Sequence, residues 1–408
     1  MLAGFPLIAM SGCAGLVPAC FKLQDGIHPK KLRARGQGTR HVAPNQMRPM
    51  KRFLVVLALL PACQKDKDQS PAAAAAASSS APAQMPGLER QDGMVKLKGG
   101  SYTMGHDGAF ETPFGSKEFP EESPAHKVTV KPFWIDETEV TNAQFAAFVK
   151  ATNYVTFAER QVKPEDFPEE ARADLPQGGF GNGSIVFRED AHIQGNPNIP
   201  GRSLEWWRWD PEANWQHPAG EGSSIEGKDN HPVVCVTYED AAAYAKWAGK
   251  RLPTEAEWEF AARGGLEGKI YSWGDELKPG DKWMANTWQG EFPNKNTGDD
   301  GFKGSAPART FPPNGYGLYD MAGNVWEICN DLYDPTYFTE CDPDNPQGPA
   351  QWVNRDTGQK NDGKVHRVTK GGSFLCHVSY CMRYRPAARH SQDSESPTNH
   401  TGFRCVRD

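Results

Sequence analysis

Glycine and proline are the residues that most limit what this chain can fold into. The 408-residue sequence contains 41 glycines and 33 prolines, which together make about 18% of the chain against about 12% in average proteins. Glycine adopts backbone conformations that other residues avoid, and proline can neither continue a helix nor donate to a β-ladder. The sequence therefore predicts short regular elements joined by many turns and loops.

The net charge of the chain argues against some classes of partner. Lysine and arginine number 45 and aspartate and glutamate 51, which gives a formal charge of −6 at pH 7. We find no long basic stripe of the kind that neutralises phosphates. We therefore expect neither a nucleic acid nor a charged polymer as a partner.

A short apolar run near the N-terminus resembles an export signal. Basic residues precede the apolar residues 53–60, and a proline and an alanine then lead to Cys63. This order is typical of a bacterial lipoprotein signal, and eight apolar residues are too few to span a bilayer. We expect an exported protein anchored on the periplasmic side of a membrane by a lipid on Cys63. The alternatives are a simple secretory signal or a fortuitous apolar run.

The composition divides the chain into four segments. Residues 1–49 form an upstream extension, and residues 50–63 form the signal. Residues 64–87 are charged and then rich in alanine, serine and proline, so they cannot bury enough apolar surface to fold and predict a disordered linker. The remainder, 88–408, shows no break in composition and no repeat, which predicts one domain.

Local capping patterns predict three helices. A threonine followed three residues later by a glutamine, aspartate or glutamate can bond reciprocally with the backbone of the first helical turn. Glycine is favoured just after the last turn. The predicted helices are 142–151 after Thr141, a second after Thr237 that ends at Gly249, and a third after Thr254 that ends at Gly264 and Gly265. Two short segments, 126–130 and 183–187, predict strands.

Two cysteines near the C-terminus form the pattern with the clearest chemistry. Cys376 and Cys381 are five positions apart, which places them on opposite faces of a strand and about 140° apart on a helix. They converge only if the backbone turns between them. The spacing does not match a CxxC zinc or redox motif. Two converging thiolates would form a soft site that favours Cu(I) over hard cations.

Basic residues surround this pair. His377, Arg383, Arg385 and Arg389 lie in the same stretch, and nearby positive charge lowers the pKa of a thiol and favours the thiolate. The alternative is an ordinary disulfide bond, which is common in exported proteins. The residue pattern alone leaves both interpretations open.

The segment GGSFLCHVSYCMRYRPAAR, residues 371–389, resembles the active-site signature of formylglycine-generating enzymes, in which two cysteines with this spacing follow Gly-Gly-Ser. The resemblance covers most of 94–408. It continues in order through GGSYTMG (99–105), IDETEVTNAQFAAFV (135–149), ANWQHPAG (213–220), residues 231–265, residues 286–307, FPPNGYGLYDMAGNVWE (311–327) and TGFRC (401–405). Ergothioneine-pathway sulfoxide synthases and gliding-associated lipoproteins share the GNVWE and GFR framework without the cysteine pair. The framework therefore indicates the fold, and the pair indicates the enzyme.

The resemblance implies a mostly irregular, loop-rich α/β fold related to C-type lectins, with a substrate peptide in a surface groove. It implies that Cys376 and Cys381 bind Cu(I), and that the cysteine of a sulfatase CxPxR sequence adds a third sulfur. Dioxygen would react at copper, and the substrate cysteine would become formylglycine through a thioaldehyde. Ser373, Tyr380 and Trp326 match positions that line the pocket in this family. The hydroxyls would orient oxygen species or water, and the indole would form an apolar wall.

By the same resemblance, two acidic loops are structural calcium sites. Carboxylate and carbonyl oxygens are the ligands that calcium prefers. The first site would use the side chains of Asn286 and Asp300 with the carbonyls of Thr287 and Phe302. The second would use the side chains of Asp320 and Glu327 with the carbonyls of Gly323 and Val325. Neither loop matches an EF-hand in spacing, and the alternative is a pair of ordinary turns rich in Asn and Asp.

Four further cysteines in the domain, Cys235, Cys329, Cys341 and Cys405, permit three complete pairings. Proximity in the chain favours Cys329 with Cys341. The segment 178–201 is rich in glycine and asparagine and carries no recognisable chemistry. We expect the protein to be a monomer.

Two other functions fit parts of the sequence. A non-catalytic lipoprotein on this fold, acting as a binding or structural module, would have no need of the cysteine pair. An iron sulfoxide synthase would need a histidine triad, whereas His126, His217 and His231 are scattered along the chain. We therefore favour a copper- and O2-dependent oxidase that acts on a sulfatase cysteine.

Overall fold

The structure is a computed structural model that describes residues 87–194, apart from several positions between 168 and 177, together with 205–352 and 365–408. The predicted upstream extension, signal and lipidation site at Cys63 lie outside these residues, as does the predicted linker except for Gly87. No helix of the described part is long and apolar enough to cross a membrane.

Three α-helices form where the capping patterns predict them. They are α1 (Asn142–Thr152), α2 (Tyr238–Trp247) and α3 (Glu255–Arg263). Each begins with a complete capping box, in which the threonine and the residue three positions later bond to each other's backbone N–H groups. Glycines in the left-handed region follow α2 and end α3, at Gly249 and Gly264, whereas Asn153 takes that conformation after α1. The predicted helices are confirmed.

The strands are short, and they fall into two four-stranded sheets and several two-stranded ribbons. The first sheet has the order β1-β2-β7-β18 and the second the order β16-β15-β14-β17. The strands are β1 (Arg90–Gln91), β2 (Met94–Leu97), β3 (Gly100–Met104), β4 (Phe110–Thr112), β5 (Gly115–Lys117), β6 (His126–Val130), β7 (Phe133–Asp136), β8 (Gln161–Val162), β9 (Phe180–Gly181), β10 (Ser184–Phe187), β11 (Trp207–Asp210), β12 (Gly290–Glu291), β13 (Lys295–Asn296), β14 (Trp326–Leu332), β15 (His366–Lys370), β16 (Arg389–Asp393), β17 (Thr401–Gly402) and β18 (Val406–Arg407). The two predicted strands correspond to β6 and β10. The irregular, loop-rich α/β fold is confirmed.

The last residues of the chain join the two sheets. Strand β17 pairs in parallel with β14 through Trp326 and Thr401, and β18 pairs antiparallel with β7 through Ile135 and Val406. Only three residues separate β17 from β18. The C-terminal segment is therefore part of both sheets.

Helix α3 packs in the hydrophobic core and pairs with the two strands that flank the cysteine pair. Every residue of α3 is buried, and Trp258 packs in one cluster with Ile135 and Val368. Its buried acids pair with the ends of β15 and β16. Glu259 accepts from the Lys370 ammonium at 3.0 Å, and Glu255 accepts two bonds from Arg389 at 2.8 and 2.7 Å. Residues 371–388, which contain both cysteines, connect these two strands and are fixed at each end.

Candidate active site

The connection between β15 and β16 brings Cys376 and Cys381 together. Their Cα atoms are 5.6 Å apart and their sulfur atoms are joined as a disulfide in the structure. The backbone turns between them, because the N–H groups of Tyr380 and Met382 both donate to the carbonyl of His377, at 3.0 and 3.1 Å. The predicted convergence is therefore present. Both a thiolate pair and a disulfide require it.

The two cysteines lie in a buried, largely aromatic cluster. It contains Phe110, Tyr271, Trp326 and Tyr384. The Trp326 ring is buried and lies 5.4 Å from the ring of His390. Trp326 thus lies in the same apolar cluster as the two cysteines.

The two hydroxyl groups that were expected to line the pocket differ in their surroundings. The Ser373 hydroxyl accepts from the N–H of Leu375 at 3.2 Å, and the Ser373 carbonyl accepts from Cys376 at 2.9 Å. Ser373 thus supports the turn. The Tyr380 ring stacks on Phe292 with centroids 4.3 Å apart, and its buried hydroxyl has no hydrogen-bond partner among the described residues. Tyr380 is therefore the hydroxyl with capacity to bind another group.

The basic residues near the pair do not act on the thiols in the way that the sequence suggested. Three arginines are each paired with a carboxylate: Arg383 with Glu121, Arg385 with Glu122 and Arg389 with Glu255. Burial, and then the charge of Lys117, lower the pKa of His377, so this ring is neutral at pH 7. The arginines therefore anchor the turn, and their charge is compensated locally.

Lys117 is a neighbour of the turn that sequence reasoning missed. Its ammonium donates to the carbonyl of Tyr380 at 2.8 Å. Burial and the charge of Arg383 lower the pKa of Lys117. The contact joins β5 to a residue 263 positions away in the chain, and no local pattern could have revealed it.

The residues proposed for the first calcium site lie together. Asp300 accepts from the backbone N–H of Phe302 at 2.9 Å and of Thr287 at 3.1 Å. The side-chain amide of Gln289 donates to both the Thr287 carbonyl and the Asp300 carboxylate. Two of the expected ligand oxygens thus converge on one point, and turning this amide over would present its oxygen there as well. The side-chain oxygen of Asn286 is buried without a partner in the described part of the chain.

The second proposed calcium site contains an excess of buried negative charge. Glu327 accepts from Arg404 at 2.6 and 2.7 Å and from the Trp258 indole at 2.7 Å, while burial raises the pKa of Asp320 to about 6. Glu139, which sequence reasoning missed, is fully buried, and one of its oxygens has no partner among the described residues. Burial, and then Asp320 and Glu327, raise its pKa. Arg404 is ion-paired with Glu327, and Arg404 and Arg309 both act on the charge of Asp320.

The two loops contact each other and the cysteine turn. Asn324 donates its backbone N–H to the carbonyl of Asn286 at 2.8 Å, and Phe374 donates to the carbonyl of Asn324 at 2.8 Å. Gly323 lies so close to Asn286 that a Cβ there would be 2.1 Å from the Asn286 carbonyl oxygen, and it bridges to it as an isolated β-pair. Val325 follows in the buried core.

The described residues contain no group of three or more His, Cys, Asp and Glu side chains arranged as ligands. A cation at either loop would therefore depend on carbonyl and amide oxygens too.

The remaining cysteines correct one prediction. Cys329 and Cys341 are not paired, and Cys235 and Cys405 are free as well. The prediction that Cys329 pairs with Cys341, which rested on their proximity in the chain, is wrong. The thiol of Cys329 is buried in the core and directed at the Glu327 carbonyl, whereas that of Cys341 is directed at the Asp342 carbonyl at 3.5 Å.

The described part of the segment 178–201 has a structural role. It contributes β9 and β10, and β10 pairs with β11 through all four of its residues. Phe187 then packs against Trp288 and Phe292, beside Tyr380. The segment therefore builds one wall next to the cysteine turn, and its residues 195–201 lie outside the described part.

The fold and this site define an irregular α/β protein with a buried pair of converging cysteines on the connection between two strands. A family model described as the sulfatase-modifying factor enzyme 1-like domain matches residues 80–408. The chain belongs to this family, which is that of the formylglycine-generating enzymes.

Individual relatives agree with this assignment. The chain is 48% identical over 316 residues to a formylglycine-generating enzyme of Streptomyces coelicolor, covering 78% of this chain and 89% of the relative. It is 46% identical over 315 residues to one of Mycobacterium tuberculosis, covering 77% and 97%. It is also 37% identical over 325 residues, covering 78% and 87%, to a protein of Mus musculus named as an inactive Cα-formylglycine-generating enzyme. Membership of the family therefore does not by itself establish activity.

Proposed function

We propose that this protein oxidises the cysteine of a CxPxR sequence in sulfatase polypeptides to formylglycine, with O2 as oxidant and Cu(I) held by Cys376 and Cys381. The observation that carries the proposal is the convergence of these two cysteines in a buried aromatic cluster. The identity of the chain to named formylglycine-generating enzymes supports the nature of the target.

The donor set fits a soft monovalent metal. Reduction of the pair would give two sulfur ligands whose Cα separation of 5.6 Å is set by the turn. Their neighbours in the cluster are mainly aromatic and aliphatic side chains, and soft sulfur ligands in such surroundings select Cu(I). When bound, copper would supply the redox centre at which O2 reacts.

The other residues of the site would position the substrate and exclude water. The closed wall around Trp326 keeps bulk solvent from the sulfur atoms. The free hydroxyl of Tyr380 can donate to, or accept from, a group of the substrate or of the oxidant. The Ser373 carbonyl accepts from the N–H of Cys376, and this bond would hold the Cys376 sulfur close to that of Cys381.

Calcium in the two acidic loops would stabilise the wall behind the turn. Three buried carboxylates lie close together at the second site, and a divalent cation would reduce the repulsion between them. The first site offers converging oxygens and the unpartnered oxygen of Asn286. Both loops form hydrogen bonds to the cysteine turn, so a cation that holds the loops in place would also hold the turn.

Two further parts of the proposal concern the whole protein. The basic and apolar residues before Cys63 support export and anchoring by a lipid on this cysteine. We also propose that the protein acts as a monomer, with a sulfatase polypeptide as its transient partner.

The function is tested with the purified full-length chain. The reduced protein is loaded with Cu(I) and incubated in air with a CxPxR peptide, and mass spectrometry follows conversion of the peptide cysteine to the aldehyde. We expect turnover by the wild type and its loss in both Cys376→Ser and Cys381→Ser. Cys341→Ser is the matched control, because Cys341 is a free, half-buried cysteine.

Metal content separates a thiolate pair from a structural disulfide. The reduced wild type should bind about one Cu(I) tightly, and each single variant far more weakly, since a lone thiolate is a poor site. Equal copper binding by the wild type and both variants would refute the mechanism. Absence of turnover by a copper-loaded wild type would favour the alternative, a non-catalytic module comparable to the relative named as inactive.

A further inference from the structure

A cleft of about 350 Å³ lies beside the cysteine turn. Clefts of this volume are within the range that binds small ligands or peptide side chains. Its lining includes three aromatic residues and three lysines: Phe187, Trp288, Phe374, Lys228, Lys295 and Lys303. The cleft thus combines an apolar surface with a basic rim.

The charge of this cleft is strongly unbalanced. Its three lysines are exposed, and none of them has a carboxylate partner among the described residues. Glu189 is the one acidic residue in the lining. Burial, and then Lys228, lower the pKa of His231, so this ring adds no positive charge at pH 7. The lysines alone leave a net attraction for an anion.

The wall of the cleft also offers one hydrogen-bond acceptor and one donor that no described residue satisfies. The side-chain oxygen of Asn142 and the indole N–H of Trp288 are both buried and have no partner in the described part of the chain. Both residues line the cleft. A peptide group carries one N–H and one C=O, so a polypeptide segment in the cleft could satisfy both atoms.

The cleft is continuous with the cysteine turn. Trp288 donates its backbone N–H to the carbonyl of Cys376 at 3.1 Å. The Trp288 ring lies 5.2 Å from Phe292, which stacks on Tyr380 at 4.3 Å. These packed rings therefore connect the wall of the cleft to the turn, so a chain bound in the cleft would lie next to the turn.

We propose that this cleft binds the part of the target polypeptide that flanks the modified cysteine, and that it selects flanking segments with an acidic and an apolar side chain. The proposal rests on the proposed function for the identity of the target. The basic rim attracts the acidic group, the aromatic surface buries the apolar one, and Asn142 and Trp288 bond to the backbone between them.

The test compares peptides that share one CxPxR core. One carries an extension of aspartate and phenylalanine residues, and its partner has asparagine in place of each aspartate. Both are made with the extension before and after the core. Formylglycine formation is measured with the wild type, with Lys228→Gln/Lys295→Gln/Lys303→Gln, and with the matched control Lys98→Gln/Lys131→Gln/Lys246→Gln, which removes the same charge from exposed lysines elsewhere.

For one of the two extensions, the wild type should show a KM about tenfold lower for the acidic peptide than for the neutral one, with kcat unchanged. The cleft variant should lose this difference and the control variant should keep it. Raising the salt concentration from about 0.05 to about 0.5 M should raise the KM of the acidic peptide for the wild type and the control variant but not for the cleft variant, because exposed charges are screened.

Three outcomes would overturn the inference. The first is an equal KM for acidic and neutral peptides in the wild type, and the second is a preference that survives in the cleft variant. The third is competition by free benzoate as strong as by the extended peptide, which would make the cleft a site for small organic anions. Failure of the wild type to convert any peptide would instead count against the proposed function, so the two failures are distinguishable.

Discussion

The ion pair of Arg385 and Glu122 is the contact whose loss should most disturb the cysteine turn. Both side chains are only 1% exposed, and the two terminal guanidinium nitrogens each donate to a carboxylate oxygen at 2.7 Å. The Nε of Arg385 donates to the carbonyl of Met382 at 2.8 Å. Met382 follows Cys381 and has a φ of 48°, so the arginine holds the backbone where the turn is left-handed.

The variant Glu122→Gln preserves the shape of this contact and removes the carboxylate charge. Loss of one partner of a buried pair costs about 3–5 kcal/mol, because the other charge stays buried. The guanidinium also lies 4.0 and 4.5 Å from the ring centroids of Phe110 and Phe119, and this interaction would persist. We therefore expect the lower end, about 3 kcal/mol of unfolding free energy.

Urea unfolding of the wild type and the variant measures this cost directly. The matched control is Glu239→Gln, because Glu239 also accepts two bonds from one arginine, Arg160, at 3.0 and 2.8 Å, but in an exposed pair. The control should lose less than about 1 kcal/mol. Equal losses in the two variants would refute the argument that burial makes the Arg385 pair critical. Copper affinity should also fall in Glu122→Gln alone, since the turn presents both sulfurs.

Four other predictions concern metals, pH, anchoring and truncation. EGTA should lower the melting temperature and Asp320→Asn should mimic it, since calcium would neutralise buried carboxylates; if neither shifts the transition, the loops are ordinary turns. Burial lowers the pKa of His400 from 6.5 to about 3, so its contribution to stability is present above pH 6.5 and is lost as the pH falls. At about pH 4 this loss is about 3 kcal/mol, and His400→Gln should abolish that part of the acid sensitivity in urea titrations; unchanged sensitivity would contradict the assignment. Cys63→Ser should release the protein from membranes in fractionation, and an unchanged membrane fraction would contradict anchoring at Cys63. A chain that begins at Leu88 should keep its turnover, because the preceding residues carry none of the chemistry. A truncated chain that is folded but inactive would contradict this expectation.

The features that sequence reasoning predicted correctly depend on neighbours in the chain. The three helices begin at capping boxes formed by residues three positions apart. The turn between Cys376 and Cys381 is expected because two side chains five positions apart can converge only if the backbone turns between them. The family resemblance added the fold.

The features that sequence reasoning missed depend on residues far apart in the chain. Glu122 pairs with Arg385 across 263 positions, and Glu139 lies near the second acidic loop although 185 positions separate it from Asn324, to which it is bonded. A hydrophobicity or charge pattern contains no information about such distant partners. The pairing of Cys329 with Cys341 failed for the converse reason, since closeness in the chain did not orient the two thiols toward each other.

The four free cysteines in the described part of the chain differ from an ordinary thiol in their reactivity. Burial raises the pKa of Cys235 to about 12 and that of Cys341 to about 11, and it places those of Cys329 and Cys405 well above the ordinary thiol value. Because only the thiolate reacts readily with alkylating reagents, these four remain almost inert at neutral pH. Under native conditions iodoacetamide should therefore label these four thiols only slowly, and their rapid labelling would report unfolding of the described part of the chain.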